Sequence, residues 1–581
     1  MWYRSLSCLL LPAALVYGAD KAVLEYNING LEGGLKRNAQ AWLGSPPTSV
    51  QARLNFVVTA EERVQDSLKA LGYYDADIRT TLQRTDPVWT LQIDVEPGQP
   101  VLIRHVSIDI RGAAREDPDF QQLLDTVPFR SGDVFSHGDY EQFKSRLQSL
   151  GQQRGYFDGR LSERRVEVNV PGHSADIFLH YESGPRFRFG AVHYDDIPLD
   201  RELLLQLQPF REGDYYDQTK LQQMQAQLQR TRYFSGVLIR PQFDRVKDYR
   251  LPLQVSLRPA KRHSFDVGIG YSTDTQGRVS MVWRTPLINR YGHSQQTRIA
   301  YSEVNPIGSF VYSIPLGHPL DDVLHLSARL EDNEYGDMDS RQQEGSVLRE
   351  LRTGQWLQSY SVRVLDESWT VKNIQHEEFY TLPGIAMSRR DRGGLLVDPA
   401  SGFSQFYKVE IGSEHLGSDV DLLRATANFS YIVTPWPAHR LLARAALGAV
   451  FVSGADSISL APSLGFFAGG SQSMRGYGYQ SIGKEIEFTR DDGTRQTLTV
   501  AGDRLLTTTL EYQYYFTPHW RGALFVDAGD AFEGGDFDAN FGPGFGVHYI
   551  SPVGAVRLEL ANGVSENSGG WRLHVNIGAE F

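Results

Sequence analysis

From about residue 263 to the C-terminus, apolar and polar side chains alternate along the chain with a period of two. The first such segment places Phe265, Val267 and Ile269 on one face, with aspartate or glycine between them. This period predicts strands with one apolar face. If that face meets lipid, the strands must close into a barrel, because a bilayer offers no partner to an open sheet edge. A soluble β-sandwich or barrel with its apolar face turned inward is the alternative.

The alternating region has room for roughly sixteen or seventeen strands, and bacterial outer-membrane barrels have an even number. We therefore predict a 16-stranded antiparallel transmembrane β-barrel over residues 262–581. Its strand boundaries are least clear between Glu331 and Gly402. The aromatic last residue, Phe581, and an N-terminal export signal favour the membrane barrel over the soluble alternative.

Residues 1–18 have the pattern of a secretory signal peptide. Arg4 precedes the short apolar run Leu6–Val16, and Gly18 is small enough for cleavage after it. Cys8, the only cysteine of the chain, lies inside this segment. The mature chain would therefore have neither disulfides nor thiolate metal sites.

Three copies of one unit precede the barrel region. Pro128–Asp133 recurs as Pro209–Asp214, and Gly155-Tyr156-Phe157 resembles Gly72-Tyr73-Tyr74. An amphipathic helix pattern precedes each aromatic pair, and strand-like segments flank the helices. Each copy therefore reads as strand–helix–helix–strand–strand. The predicted units span residues 21–98, 99–185 and 186–260.

The aromatic pairs of these units predict core packing at the helix ends. Each small sheet also leaves an edge strand, and an exposed edge accepts an extended partner strand by β-augmentation. Our hypothesis is that the units use such edges to bind clients or partners.

Charge and motifs argue against several classes of protein. The formal net charge of −12 gives no support for nucleic-acid binding. Gly478–Lys484 has phosphate-loop spacing, but Glu485 follows where a serine or threonine would bind magnesium. The sequence has neither a Gly-x-Ser-x-Gly elbow nor a His-Glu-x-x-His pair. We therefore predict a protein that is not an enzyme, with no catalytic, cofactor-binding or metal-binding residues and no nucleic-acid partner.

A glycine-rich gap between predicted strands contains Arg475, with Met474 before it and Gly476 and Tyr477 after it. Asp527 lies on a later predicted strand, where it can face the barrel interior. A loop folded into the barrel would bring Arg475 to Asp527, and a buried arginine–carboxylate pair is strong and directional. We predict that the loop braces the barrel from inside. A clamp without any role in a functional cycle is the alternative.

At these residues the chain resembles the BamA/TamA-type superfamily of outer-membrane assembly factors. Arg475, Gly476 and Tyr477 match the family's barrel-loop motif, with Met474 in place of the usual valine or isoleucine. The resemblance implies three periplasmic α+β POTRA repeats of βααββ order, followed by the 16-stranded barrel.

The family's barrel-wall motif, Phe-x-Asp-x-Gly, is matched by Phe525, Asp527 and Gly529. The resemblance implies that this motif and the barrel-loop motif meet inside the barrel. The turn Pro286–His293 is also similar to TamA-type members.

Three repeats and this length are most similar to the TamA type. That resemblance implies a protein of the outer membrane, with POTRA repeats in the periplasm, that inserts or secretes unfolded outer-membrane proteins such as autotransporters. The implied partner is a TamB-like inner-membrane-anchored protein that docks on the first repeat. Phospholipid transport with the same partner, a two-partner-secretion-type exporter and a passive porin are the alternatives.

The first and last predicted strands, Ser264–Ser272 and Trp571–Phe581, must pair to close the barrel. Glycines weaken both strands, so we predict a lateral seam that opens to client strands and thins the adjacent lipid bilayer. The predicted seam residues are Phe265, Val267, Ile269, Val575, Ile577, Gly578 and Phe581.

Overall fold

The computed structural model describes residues 23–85, 88–371, 374–394, 398–453, 460–489, 495–551, 554–565 and 570–578. The predicted signal peptide and Phe581 lie outside these residues. Within the described part of the chain, every helix is too short or too polar to cross a membrane.

Three α/β units come first, each in the predicted order of strand, two helices and two strands. The first consists of β1 (Val23–Asn29), α1 (Gly33–Leu43), α2 (Val50–Lys69), β2 (Asp77–Thr85) and β3 (Val88–Glu96). The second consists of β4 (Leu102–Arg111), α3 (Pro118–Asp125), α4 (His137–Arg154), β5 (Arg160–Asn169) and β6 (Ser174–Glu182). The third consists of β7 (Arg188–Tyr194), α5 (Arg201–Gln206), α6 (Gln218–Arg230), β8 (Phe234–Pro241) and β9 (Arg250–Pro259).

The last strand of each unit lies at the centre of a three-stranded sheet, in the orders β1-β3-β2, β4-β6-β5 and β7-β9-β8. The other two strands of each sheet are therefore edges. The helices bury the apolar face that their period predicts. In α4, Tyr140, Phe143 and Leu147 are buried, and the Ser136 hydroxyl caps the helix by accepting from the backbone N–H of Asp139.

One backbone joint connects each unit to the next segment of the chain. The carbonyl of Gly72 accepts from Val101 N at 2.9 Å, and that of Gly155 accepts from Phe187 N at 2.9 Å. Both glycines have positive φ, and a Cβ on Gly72 would lie 2.4 Å from the carbonyl oxygen of Phe135. The Gly-Tyr-aromatic repeat therefore marks a place where only glycine avoids strain.

The third unit has a related joint, in which the accepting carbonyl lies one residue later and no glycine is present. Ala260 N donates to Tyr233 O at 2.9 Å, and Ala260 leads directly into the barrel. Arg232 occupies the position that glycine holds in the other two joints, with φ +60°. The Tyr233 hydroxyl donates to the carbonyl of Gly292, in the turn Pro286–His293, at 2.8 Å.

Sixteen strands in sequential order close the predicted antiparallel barrel. The first eight are β10 (Ser264–Ser272), β11 (Gln276–Thr285), β12 (Ser294–Ser302), β13 (Ile307–Pro315), β14 (Asp322–Tyr335), β15 (Met338–Thr353), β16 (Trp356–Val371) and β17 (Ile374–Gly394). After β18 (Pro399–Gly412), β19 (Asp421–Trp436) and β20 (His439–Ser453), a separate hairpin intervenes, formed by β21 (Lys484–Thr489) and β22 (Arg495–Val500). The last five barrel strands are β23 (Arg504–Tyr515), β24 (Trp520–Phe532), β25 (Asn540–Ser551), β26 (Gly554–Asn562) and β27 (Trp571–Gly578).

The barrel wall shows the predicted alternation. On β10 the apolar side chains are exposed on the outer face, and Ile269 keeps 85% of its surface. On β23 the alternate residues Thr507, Thr509, Glu511 and Gln513 are buried inside the barrel. Apolar-out and polar-in is the arrangement expected of a barrel in lipid.

An apolar core also lies inside the barrel. It is formed by residues 460–483, between β20 and β21, which we call the lumenal loop, by wall residues of β15, β16, β17, β19, β20 and β24, and by residues of β22. Leu464, Phe466 and Met474 of the loop are buried in one cluster with Trp369 and Tyr380 of the wall. Loop and wall are therefore packed together as a protein interior.

Candidate functional site

The lumenal loop carries the predicted barrel-loop motif to the inner face of β24. Arg475 donates from Nε to Asp527 Oδ2 at 2.8 Å and from Nη2 to Asp527 Oδ1 at 2.9 Å. The backbone N–H of Arg475 donates to Oδ2 of the same carboxylate at 2.9 Å. Asp527 is completely buried and Arg475 nearly so. The predicted pair is thus a two-pronged, charge-assisted contact, which fixes orientation as well as distance.

Two further carboxylates meet the same guanidinium. Nη1 of Arg475 donates to Glu511 Oε2 at 2.8 Å and to Glu559 Oε1 at 2.9 Å. Sequence reasoning missed both as partners, although both stand on the polar face of predicted strands. One cation therefore serves three buried carboxylates, and His548 adds a contact to Glu559 Oε1 at 3.1 Å.

The other two residues of the wall motif serve the same site. The Arg475 guanidinium carbon lies 3.3 Å from the ring centroid of Phe525, so the cation rests on an aromatic face while its edges bind carboxylates. At Gly529 a Cβ would lie 2.2 Å from the carbonyl oxygen of Leu506 on β23. At successive inward positions of β24, the Phe525 ring thus stacks on the guanidinium of Arg475, the Asp527 carboxylate binds it, and Gly529 leaves room for the backbone of β23.

Gly476 and Tyr477 press the loop against β25 and the segment after β26. Gly476 has φ +99°, and a Cβ there would lie 2.7 Å from the backbone N of Gly563. On the wall, a Cβ at Gly542 would lie 1.9 Å from the carbonyl oxygen of Arg475. The Tyr477 hydroxyl donates to the carbonyl of Phe541 at 3.1 Å. Glycines on both sides thus let two backbones approach closely.

Glu511, His548 and Glu559 are the one group of described residues with metal-ligand geometry, with ligand atoms within 4.8 Å of one another. The guanidinium of Arg475 already lies between the two carboxylates. A metal cation would be repelled by that charge and would compete for the same oxygens. The group is best described as the anionic half of the Arg475 cluster.

The seam between β10 and β27 is thinly paired. Among the described residues these strands pair at Ser272 and Asn576, whereas β10 pairs with β11 along its whole length. The predicted seam residues Phe265, Val267 and Ile269 are exposed on the outer face. Val575 and Ile577 lie at the matching outward positions of β27, and Gly578 is its last described residue.

The lumenal loop binds both strands of this seam. Ser471 donates from its backbone N to Asp274 Oδ2 at 2.8 Å, in the turn after β10. Its hydroxyl donates to the same oxygen at 2.5 Å and lies 3.3 Å from Asn576 Oδ1 on β27. Gly476 N donates to His574 Nε2 at 3.4 Å. Burial by itself would raise the pKa of Asp274, but hydrogen bonds from His574 and Ser471 outweigh it and lower that pKa. The loop therefore bridges the seam from inside.

Known proteins match both parts of the chain. Residues 215–581 match the Omp85 superfamily domain. Residues 25–97 match the POTRA domain described as TamA domain 1, and residues 105–184 match a POTRA family described as a surface antigen variable number repeat.

A curated relative is the outer membrane protein assembly factor BamA of Nitratidesulfovibrio vulgaris. It is 26% identical over 383 residues, which cover 62% of this chain and 46% of the relative. The chain thus spans about half the length of that relative.

Among solved structures, BamA from Haemophilus ducreyi lacking POTRA domains 1-3 has the same fold. The TM-score is 0.67 at 14% identity, over 82% of this chain and 99% of that one. The superfamily match spans well over half of the chain and includes the lumenal loop, β24 and the last strand. The chain therefore belongs to the Omp85 superfamily, with its barrel in the outer membrane and its POTRA units in the periplasm.

Proposed function

We propose that this chain is a TamA-type translocation and assembly factor, which inserts or secretes outer-membrane proteins such as autotransporters through the β10–β27 seam. The observation that carries the proposal is the contrast, among the described residues, between one pairing position at the seam and full pairing of β10 with β11. A strand with a free backbone edge is a template for another strand.

The energetics of the seam favour exchange of strands. A backbone hydrogen bond contributes about 1 kcal/mol net, so the described part of the seam, with one pairing position, resists opening far less than the β10–β11 ladder. An incoming client strand would satisfy the backbone groups of β10 that face the seam. In lipid that satisfaction is worth several kcal/mol for each group. The client would thus be stabilised as it enters.

The lumenal loop would keep the barrel intact during this exchange. Arg475 ties the loop to β24, and Ser471 ties it to both sides of the seam. The contacts to β24 and β25 do not depend on the seam pairing. The loop can therefore hold the wall while the seam changes partner.

A TamB-like inner-membrane-anchored protein is the partner in this proposal, docked on the first POTRA unit. Support comes from the match of residues 25–97 to TamA domain 1. In that unit β1 and β2 are sheet edges, and Trp42 and Val58 are exposed apolar side chains on its helices. An open sheet edge suits an extended partner strand, and exposed apolar side chains offer it further contact area.

A disulfide across the seam tests the proposal. Ser272→Cys with Asn576→Cys places two thiols at the paired position, and Cys8, the chain's own cysteine, lies in the predicted signal peptide. We expect oxidation to block assembly of an autotransporter client in cells, and reduction to restore it. The matched control is Gly268→Cys with Ser280→Cys, which locks β10 to β11 instead. Full activity of the oxidised seam variant would refute opening at the seam.

A photo-crosslinker at Ile269, on the outer face of β10, identifies what passes the seam. Capture of client polypeptide supports protein insertion. Capture of lipid alone, with no client adduct, would contradict it in favour of phospholipid transport.

A further inference from the structure

A cavity of about 340 Å³ lies inside the barrel, between β17–β20, β23 and the tip of the lumenal loop. A volume of this size is typical of small-ligand sites. Its arginine, hydroxyl and amide lining consists of Arg390, Ser404, Asn428, Ser430, Arg444, Gln472, Ser473, Thr507, Thr508 and Thr509. The other lining residues are phenylalanine and alanine, so the cavity has no acidic lining residue.

The charged residues of the cavity stand on one row across the wall. Strand register aligns Arg390 with Ser404, Ser404 with Ser430, and Ser430 with Arg444. At the usual strand spacing, the two arginine Cα atoms are roughly 14 Å apart, with the two serines between them. Two long cationic side chains thus flank a pair of hydroxyl groups.

Neither arginine has a polar partner within the described part of the chain. Nε of Arg444 is buried and makes no hydrogen bond. By contrast, the neighbouring lumenal arginines Arg475, Arg424 and Arg363 all bind carboxylates. A buried charged donor without a partner is costly. Nε of Arg557 is in the same situation, but Arg444 is the one that lines this cavity together with a second arginine.

The nearest carboxylates, those of Asp527 and Glu511, bind other residues. Both oxygens of Asp527 accept from Arg475. Of Glu511, one oxygen accepts from Arg475 and the other from Gln513. Arg444 is repelled by the Arg475 guanidinium and attracted by the Glu511 and Asp527 carboxylates, but among the described residues no hydrogen bond joins it to either carboxylate. The cavity therefore presents two arginines whose guanidinium groups no described carboxylate binds directly.

We propose that this cavity binds an anionic phosphate group, held by Arg390 and Arg444 and by the hydroxyls between them. Guanidinium forks match phosphate oxygens geometrically, and serine and threonine hydroxyls add donors. A free phosphate and the headgroup of an anionic phospholipid share this chemistry. The site is separate from the seam and stands whether or not clients enter there.

A ligand here would touch the loop as well as the wall. Gln472 and Ser473 line the cavity and directly precede Met474 and Arg475. A bound phosphate would therefore anchor the loop tip to β18–β20, in addition to its contact with Asp527 on β24. We expect binding to raise the thermal stability of the loop–barrel assembly.

Titration of the full-length protein in a phosphate-free, nonionic detergent tests the site. Inorganic phosphate is added at constant ionic strength, with chloride as the reference anion, and binding is followed by calorimetry and by thermal shift. We expect phosphate to bind and stabilise the wild type. In Arg390→Gln and in Arg444→Gln, we expect the Kd to rise about tenfold, since each change removes one charge-assisted contact.

Arg298→Gln is the matched control, because Arg298 lies on β12, away from the cavity. It should bind phosphate like the wild type. Phosphate binding no stronger than chloride, or equal binding by the wild type and Arg390→Gln, would overturn the proposal. Arg390 is exposed, so its variant keeps the test decisive if Arg444→Gln does not fold.

A second arm separates the two sources of phosphate. Dihexanoyl phosphatidylglycerol is titrated against dihexanoylglycerol, which lacks the phosphate. About tenfold tighter binding of the phospholipid than of inorganic phosphate assigns the site to a headgroup, and equal or weaker binding assigns it to the free anion. Equal binding of both dihexanoyl compounds, with no response to inorganic phosphate, counts against the site.

Discussion

Among single residues, Arg475 is the one on which the lumenal contacts converge. Its guanidinium binds Asp527, Glu511 and Glu559 and rests on Phe525. Without it, three buried carboxylates would face one another across a short distance. Arg475 therefore both attaches the loop and neutralises the inner wall.

Replacement of Arg475 should be strongly destabilising. Breaking a buried ion pair by removing one partner costs about 3–5 kcal/mol, so Arg475→Ala should lower the unfolding temperature and the fraction of compact barrel in unheated gel samples. Arg475→Lys keeps the positive charge but loses the two-pronged contact, so its unfolding temperature should lie between those of the wild type and Arg475→Ala. Arg298→Gln removes a lumenal arginine elsewhere and should have little effect. An unchanged unfolding temperature for Arg475→Ala would contradict a bracing role.

At Arg232, by contrast, a substitution is expected to increase the stability of the chain. Arg232 adopts φ +60° at the position that Gly72 and Gly155 hold in the other joints. A non-glycine residue with positive φ costs about 1–2 kcal/mol of folding free energy. Replacement by glycine removes this cost, but the greater conformational freedom of glycine in the unfolded chain offsets part of the gain. Arg232→Gly should therefore stabilise the chain slightly in denaturant titration, whereas Gly155→Ala should destabilise it. A clear loss of stability in Arg232→Gly would mean that the arginine side chain stabilises the joint.

Sequence reasoning reached the Arg475–Asp527 pair but not its other partners. Asp527 is found because it lies in a recognisable motif on a strand with a clear period. Glu511 and Glu559 stand on strands whose inward face is equally clear. Their convergence depends on the path of the loop through the lumen, which local periodicity does not encode. Arg390 and Arg444 were missed for the same reason.

At the scale of elements, the lumenal loop binds both strands of a seam that, among the described residues, is paired at one position. Ser471 contacts Asp274 and Asn576 on the two sides. Sequence predicted the seam from glycines in its strands, because weak strands are visible in composition. It did not predict the bridge by Ser471, because a serine in a polar loop carries no distinguishing signal.

The stability that the Ser471 bridge contributes should depend on pH, because one of its acceptors is the Asp274 carboxylate. Its pKa is lower than the ordinary carboxyl value, so its stabilising effect is complete above the unfolded pKa of ~3.9 and is lost as pH falls through the folded pKa. We expect wild type to be more stable than Asp274→Asn at neutral pH, and the difference to vanish in strong acid. His574 and Tyr479 also face Asp274, but both variants retain them. A difference that persists in strong acid would rule out the Asp274 carboxylate as its source.

At the scale of the whole molecule, the barrel differs from a passive porin by its filled interior. The lumenal loop and the wall share an apolar core that includes Phe466, Trp369 and Tyr380. Strand number and order were predictable from sequence, because alternation and the even-number rule act on every strand. The filled lumen was not, because the apolar loop residues have no period of their own.

The filled interior predicts a low conductance in planar bilayers. Replacement of residues 460–483 by a short Gly-Ser linker should raise single-channel conductance severalfold, because the apolar core is lost. Arg298→Gln should leave conductance near the wild-type level. Equal conductance of the wild type and the loop replacement would show that the loop does not obstruct the lumen.

The joint between units also makes the length of the periplasmic arm adjustable. Each joint is made by backbone atoms, a carbonyl after a helix and an N–H before the next strand, and at Ala260 the accepting carbonyl lies one residue later. Apart from the glycine position, its geometry places few demands on side chains. A unit added or removed between two joints would change the reach of the arm across the periplasm while leaving the attachment to the barrel intact. Reach and membrane activity are thus separable properties, free to vary independently.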